Sequence, residues 1–336
     1  MKVRTMEEFA TASGISRPTI SRFFSDPTSV RPSSRQRIEA AMVEFGYRPN
    51  LMAVNFNRKK PKTLGLLVPS LTDPFYAGLA QRVEKMAAEA GYWTIIQNSH
   101  GDASGEVTAL ATLESLNVAG AILAPLGHAS KTTAFKKLEG RVPVVFLDTQ
   151  VDVEGPFVGT DNGQSMSLMV EYLVRSGGNP VYFDMPDINR NARDRRAAYV
   201  GAMERNGLEP RIIPVAETGW EFERIAFETA SDLFSRSKRL DVDTILCAND
   251  RIAFGVMAAA TEAGLSIGRD GNGIRIAGHD DHPLSRFSCP SLTTVAQDQE
   301  ELAKSTLDIL MALISGSSDR PSNYSLPATL VMRRSA

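Results

Sequence analysis

Thr5-Met6-Glu7-Glu8-Phe9-Ala10-Thr11-Ala12-Ser13-Gly14-Ile15-Ser16-Arg17-Pro18-Thr19-Ile20-Ser21-Arg22-Phe23-Phe24 reads as two short helices joined by a tight turn. Thr5 and Glu8 have capping-box spacing, in which each side chain satisfies a free backbone N–H at the helix start. Met6, Phe9 and Ala10 recur at i, i+3 and i+4 and give the first helix one inward face, and Gly14 supplies the left-handed residue that ends it. Ser16 is the expected N-cap of the second helix. Pro18 falls in its first turn, where a missing N–H costs nothing, and Ile20, Phe23 and Phe24 form its apolar stripe. The second helix therefore exposes Arg17, Pro18, Ser21 and Arg22. A helix-turn-helix presents the N-terminal residues of its second helix to base edges, and arginine donates a bidentate pair to guanine. Arg17 and Arg22 are the expected base readers and Pro18 an apolar contact, with Thr5, Ser16, Thr19 and Ser21 as further DNA contacts.

Charge is segregated in the same sense. Residues 1–62 hold 12 Lys and Arg against 5 Asp and Glu, a balance of +7, although the whole chain carries −2 and residues 63–336 therefore carry −9. A basic first domain on an acidic body fits phosphate neutralisation, whereas a uniformly basic chain would say much less.

Outward from the pair, residues 33–45 form a third amphipathic helix with Ile38, Ala41, Met42 and Phe45 on one face, closing a three-helix core. Gly46-Tyr47-Arg48-Pro49-Asn50-Leu51-Met52-Ala53-Val54-Asn55-Phe56-Asn57 follows, then the charged stretch 58–62. Asn50 is placed to cap a very short helix. Isolated helices under about 12 residues are marginal in water, so this one is expected to fold only against a partner copy and DNA.

Residues 63–336 suffice for two lobes with their own cores. Apolar runs at 64–68, 94–97, 120–124, 142–147, 181–184, 244–248 and 274–277 alternate with amphipathic patterns at 75–90, 106–116, 163–175, 194–206, 221–234 and 252–263. That is the signature of parallel βαβ units. Gly91, Gly177, Gly207 and Gly264 each follow a helical pattern, as C′ glycines do. Ligands of open parallel sheets gather at the C-terminal ends of the strands. The loops there, 69–76, 98–102, 148–150, 159–162, 185–196, 249–250 and 278–282, are mainly polar, with Phe75, Tyr76 and Trp220 as flat apolar surfaces. Hydrogen-bonding groups beside an aromatic face suit a sugar or other polyol.

Together these segments resemble the lactose repressor and galactose repressor family of bacterial regulators, and the similarity runs nearly to the last residue. Ala12-Ser13-Gly14-Ile15-Ser16-Arg17-Pro18-Thr19-Ile20-Ser21-Arg22 is similar to the family's recognition segment, and Gly46-Tyr47-Arg48-Pro49-Asn50 to the lead into its hinge helix. The resemblance implies a helix-turn-helix domain at 1–48, a hinge helix and linker at 49–62, and a two-lobed periplasmic-binding-protein-like α/β domain at 63–336. One lobe is expected at 63–160 and 293–322, the other at 161–292 and 323–336. It adds Tyr47, Asn50, Ala53 and Phe56 to the DNA contacts, Phe56 standing where the family wedges a leucine into the minor groove. Val54 and Asn55 depart from the usual alanine-arginine-x-leucine pattern.

The resemblance also implies an effector site with Asp148, Arg195, Asn249 and Asp280, near Trp220, where family members with sugar effectors often have an aromatic; Phe75 and Tyr76 of the first strand-end loop complete the expected set. Arg195 corresponds to the usual effector clamp, and Val145-Phe146-Leu147-Asp148, Cys247-Ala248-Asn249-Asp250 and Gly278-His279-Asp280-Asp281 match three strand-end motifs. Gly159-Thr160-Asp161-Asn162 and residues 291–297 resemble crossings between lobes. Competing readings stand beside these: Asp161 and Asn162 as helix caps, Asp281 as structural, and Trp220 as packing. Ala198 and His279 replace a usual glycine and aromatic. His279-Asp280-Asp281-His282 has metal-like spacing, but no clear third ligand is visible, and no metal or cofactor is expected.

Two other functional classes compete. A carbohydrate-active enzyme would leave Asp280, Asp281 and His282 as acid and base, yet no G-x-x-x-x-G-K-[ST], G-x-S-x-G or H-E-x-x-H motif occurs. A solute-binding protein needs export, yet the N-terminal residues are charged and no apolar segment of signal or transmembrane length follows. Cys247 and Cys289 make no disulfide framework, so a reducing cytoplasm is expected. The reading is a DNA-binding regulator, in keeping with the family a repressor. It would be a dimer on a pseudo-palindromic operator under small-molecule control, with no tetramerising heptads before Ala336.

Overall fold

A computed structural model describes residues 3–50, 61–127, 129–236, 242–269, 273–317 and 323–336. The first domain has α1 (Met6–Ser13), α2 (Arg17–Ser25), a 3-10 turn (Pro27–Ser29) and α3 (Pro32–Phe45). Both halves of the capping box form, with the Glu8 N–H donating to Thr5 Oγ1 at 3.1 Å and the Thr5 N–H to Glu8 Oε2 at 3.2 Å. Gly14 ends α1 at φ 64°, where a side chain would be strained. Phe9, Ile20 and Ile38, one from each helix, are fully buried together. The expected short helix after Asn50, with Ala53 and Phe56, lies outside the described residues.

The second domain begins with β1 (Thr63–Val68), α4 (Pro74–Glu89), β2 (Trp93–Asn98), α5 (Ala103–Ser115), β3 (Gly120–Leu123), α6 (Thr132–Glu139), β4 (Val144–Leu147) and β5 (Phe157–Thr160). It continues with α7 (Asn162–Arg175), β6 (Val181–Phe183), α8 (Arg190–Arg205), β7 (Ile212–Ile213), α9 (Phe222–Arg236), β8 (Thr244–Cys247), α10 (Asp250–Glu262) and β9 (Arg275–Ala277). It ends with β10 (Thr294–Ala296), α11 (Gln299–Ser315), β11 (Asn323–Leu326) and β12 (Thr329–Val331). One parallel sheet runs β11-β5-β4-β3-β1-β2 and another β7-β6-β8-β9, while β10 and β12 pair antiparallel. Strands β1, β3 and β4 are buried on both faces, which is why they read as continuous apolar runs rather than alternations.

The structure moves two lobe boundaries. Strand β11 pairs with β5, Asn323 opposite Phe157 through Leu326 opposite Thr160, so residues 323–326 lie in the first sheet rather than the second lobe. Thr293 bridges Ala277 and Ala296 bridges Asp280, so residues 293–296 extend the second sheet rather than the first lobe. The crossings therefore lie at Thr160–Asp161, around Gln297 and between Leu326 and Ala328. Hydrogen bonds at these junctions, one between backbones and three through side chains, mark the limits. Leu326 accepts the Asp161 N–H at 2.9 Å, Gln164 brackets Ala328 with two hydrogen bonds of 2.9 and 3.1 Å, and Thr160 Oγ1 donates to Gln297 Oε1. Helices α6 and α11 and strands β5, β7, β10 and β11 add to the elements expected from periodicity; β7 and β11 are short edge strands with little apolar pattern.

Candidate DNA face and inter-lobe cleft

Helix α2 turns Ile20 and Phe23 inward, which leaves Arg17, Pro18, Ser21 and Arg22 exposed on the opposite side. Ser16 begins the helix through its carbonyl, which accepts the Thr19 and Ile20 N–H groups, while its hydroxyl pairs with Thr19 Oγ1 at 2.8 Å. The expected side-chain cap from Ser16 is thus replaced by a hydroxyl pair. Arg17 meets Glu7 at 2.7 Å, but both side chains are 64% exposed, so the pair is weak and easily exchanged for phosphate or a base. Tyr47, expected among the DNA contacts, also has a packing role. Its ring stacks on Phe9 with centroids 4.3 Å apart and is 3% exposed, making it part of the domain core. Asn50 is exposed at the last described position before the linker.

All seven residues expected at the effector site line one cavity of about 30 Å³ between the lobes. The loop after β1 brings Asp73, Phe75 and Tyr76, Asp73 capping α4 through the Phe75 N–H at 3.0 Å. Asp148 follows β4 at φ 66° and accepts the Tyr76 hydroxyl at 2.7 Å. From the second lobe come Asn189 and Asn249, whose Oδ1 atoms cap α8 and α10, and Arg195, one turn into α8.

Arg195 is 5% exposed, and its guanidinium donates to Asn162 Oδ1 at 3.1 Å, the Ala248 carbonyl at 3.0 Å and Asp280 Oδ1 at 3.0 Å. Asp280 Oδ1 also takes the Gln297 amide at 2.7 Å and faces His279 Nδ1 at 2.8 Å. Since Gln297 sits on a crossing and meets Thr160 on another, the cleft carboxylate is wired directly to the hinge. Burial would raise the Asp280 carboxyl, but Arg195 and then His279 outweigh it and hold it below the usual range. Asp148 has less help, and burial pushes it up to about 6 against the Tyr76 hydroxyl and Arg195.

Trp220 resolves as both packing and lining. Its ring lies 6.0 Å from Tyr76 of the first lobe and 5.6 Å from Phe222 of the second, while it also lines the cavity. Gly101 makes this possible, because a Cβ there would sit 2.0 Å from Trp220 Nε1. Asp161 caps α7 through the Gln164 N–H at 2.9 Å, Asn162 holds Arg195, and Asp281 accepts from Arg333 at 2.6 Å. The metal-like tetrad is pulled apart. His279 uses both ring nitrogens, on Asp280 and on Ser165 Oγ at 3.0 Å, whereas His282 Nδ1 accepts the Leu284 N–H at 3.0 Å. Among the described residues no three His, Cys, Asp or Glu side chains group as metal ligands.

Several cleft residues escaped the sequence reading. Asp73-Pro74 carried a legible cap signal. Arg251 carried none: it grips Glu223 with two contacts of 2.7 Å, reaches across the lobes to Asp73 at 3.0 Å and lies 4.7 Å from the Phe222 ring, partners up to 178 residues away.

Comparison with known proteins agrees with this division of labour. Residues 5–50 match the profile described as bacterial regulatory proteins, lacI family, and residues 170–336 the periplasmic binding protein-like domain. The chain is 28% identical to the ribose operon repressor of Escherichia coli K12, over 99% of each chain. Its fold matches the lac repressor dimer bound to operator and an anti-inducer with a TM-score of 0.83 at 27% identity, covering 98% of both chains. A LacI family regulator from Enterococcus faecium with bound ribose matches 82% of this chain and 98% of its own at TM-score 0.70 and 26% identity. A helix pair that matches the lacI family profile, joined to a two-lobed cleft and with full-length similarity to such repressors, gives this chain the architecture of the lacI family of bacterial transcriptional regulators.

Proposed function

We propose that this regulator represses transcription by binding a pseudo-palindromic operator as a homodimer, and that a small sugar or polyol in the inter-lobe cleft changes its DNA affinity. The observation that carries the reading is the tie from cleft to hinge, Arg195 to Asp280 to Gln297 to Thr160, in a chain whose other end exposes Arg17 and Arg22 on α2. Both arginines read bases from the major groove, and Phe56 serves as the minor-groove wedge. A single helix-turn-helix makes too small an interface, so two copies read two half-sites.

The cavity of about 30 Å³ holds little more than one or two waters, whereas small-molecule pockets run to about 300–1,000 Å³. Effector entry therefore requires the lobes to part, breaking the Arg251–Asp73 pair and the Tyr76–Trp220 contact and rotating the three crossings. The resulting change in lobe angle alters the spacing of the two DNA-binding domains, a coupling typically of about 1 to 3 kcal/mol. The chain acts by binding, with no catalytic role assigned to the cleft carboxylates, and works in the cytoplasm. No described helix is long and apolar enough to cross a membrane. Selection of bound genomic fragments, footprinting of the winners and repetition with a sugar panel test this. A protected inverted repeat and one affinity-shifting sugar are expected; sequence-independent binding that no sugar alters would overturn the reading.

A further inference from the structure

Resting on the reading of this cleft as the effector site, we infer that the effector is an uncharged sugar and that the cleft rejects the corresponding sugar acids and sugar phosphates. Recognition of a carboxylate or phosphate usually relies on a guanidinium fork or ammonium free to meet it. Among the described residues that line the cavity the one cation is Arg195, and it is already committed. Arg195 donates to Asp280, Asn162 and the Ala248 carbonyl. Arg251 stands behind the lining and keeps two donors on Glu223 after the lobes part and its third contact, to Asp73, is broken. Asp73, Asp148 and Asp280 all line the same small cavity, so an added anion meets more negative than positive charge in surroundings that screen poorly.

One feature works in the other direction. The N-termini of α4, α8 and α10 converge on the cleft, and helix N-termini attract anions. Their caps blunt this attraction. Asp73, Asn189 and Asn249 take the Phe75, Ala192 and Ile252 N–H groups, and the carboxylate of Asp73 already sits at the positive end of α4. What remains suits a neutral polyol. Asn189 and Asn249 keep their amide N–H groups, since it is their Oδ1 atoms that cap the helices, and Trp220 Nε1 is buried with no hydrogen-bond partner among the described residues. Asp148 accepts, and the rings of Phe75, Tyr76, Trp220 and Phe222 offer apolar faces to sugar C–H groups.

Calorimetry on the full chain at neutral pH, with a panel of pentoses and hexoses and the aldonate and terminal phosphate ester of each, tests the inference. At least one parent sugar should bind, with its acid and its phosphate weaker by about 100-fold or more. Asp148→Asn keeps a residue type tolerated at φ 66° and should narrow that ratio by about tenfold. A ratio unchanged in this variant would overturn the electrostatic origin. Tighter binding of an acid or phosphate than of its parent would overturn the inference and leave the cleft as an effector site. Binding of no panel member, with operator binding intact, would overturn the sugar reading and this inference with it.

Discussion

The arginines of α2 and those of the cleft are the same residue type in opposite electrostatic states. Arg17 and Arg22 stand in solvent, the first with an exposed and replaceable partner, so their charge is available to a new ligand. Arg195 and Arg251 are locked by carboxylates recruited from distant parts of the chain, so their charge is spent within the fold. A motif containing arginine therefore says little about the charge a ligand meets until the partners are known.

The sharpest way to break this contrast is to delete one arginine of each kind. Arg195→Ala strands Asp280 without its main counter-charge and should cost about 3–5 kcal/mol in thermal or denaturant unfolding, besides abolishing any effector response. Arg22→Ala should leave unfolding unchanged while weakening operator binding by about 1–3 kcal/mol. Equal melting shifts for the two would erase the distinction.

A pH titration gives the next effect. Asp148 is raised from 3.8 to about 6, so the native state binds the proton more tightly than the unfolded chain does. Its contribution is fully present below pH 3.8 and is lost as pH rises through about 6. The loss is on the order of 3 kcal/mol. Asp148→Asn should flatten that part of the stability curve; an unaltered slope would show that the carboxyl titrates normally.

Smaller again is the inter-lobe pair. Asp73→Asn retains a cap for α4 but removes the charge that meets Arg251, costing about 1.5–3 kcal/mol of closure and exposing Trp220 to acrylamide quenching. Quenching equal to the parent protein would show that the lobes close without this pair. The smallest change belongs to the DNA face, where Glu7→Gln frees Arg17. It should shift stability by less than about 1 kcal/mol and tighten DNA binding a few-fold in gel-shift titrations, whereas weaker binding would make Glu7 a positioning residue.

The helix-turn-helix was legible because its determinants are local: Thr5 and Glu8 three residues apart, Gly14 at a turn, and an apolar stripe at helical spacing. The alternating strands and helices were legible for the same reason, since burial on both faces leaves unbroken apolar runs. The strand-end loops and the family pattern together named seven residues that meet in one cavity, because each lies near the end of a strand or the start of a helix. Tyr47 went the other way: its place in the motif gave no sign that stacking on Phe9 would draw it into the core.

Sequence alone thus determined the helix pair, the parallel α/β architecture and the strand-end positions of the cleft, all products of short-range periodicity and capping. Only the tertiary structure decided that β11 joins the first sheet, that Arg251 spans the lobes to Asp73, and that Asp280 ties Arg195 to Gln297. These rest on edge pairing, ion pairs and hydrogen bonds between residues 17 to 178 positions apart, where desolvation and geometry choose the partner and no local pattern records the choice.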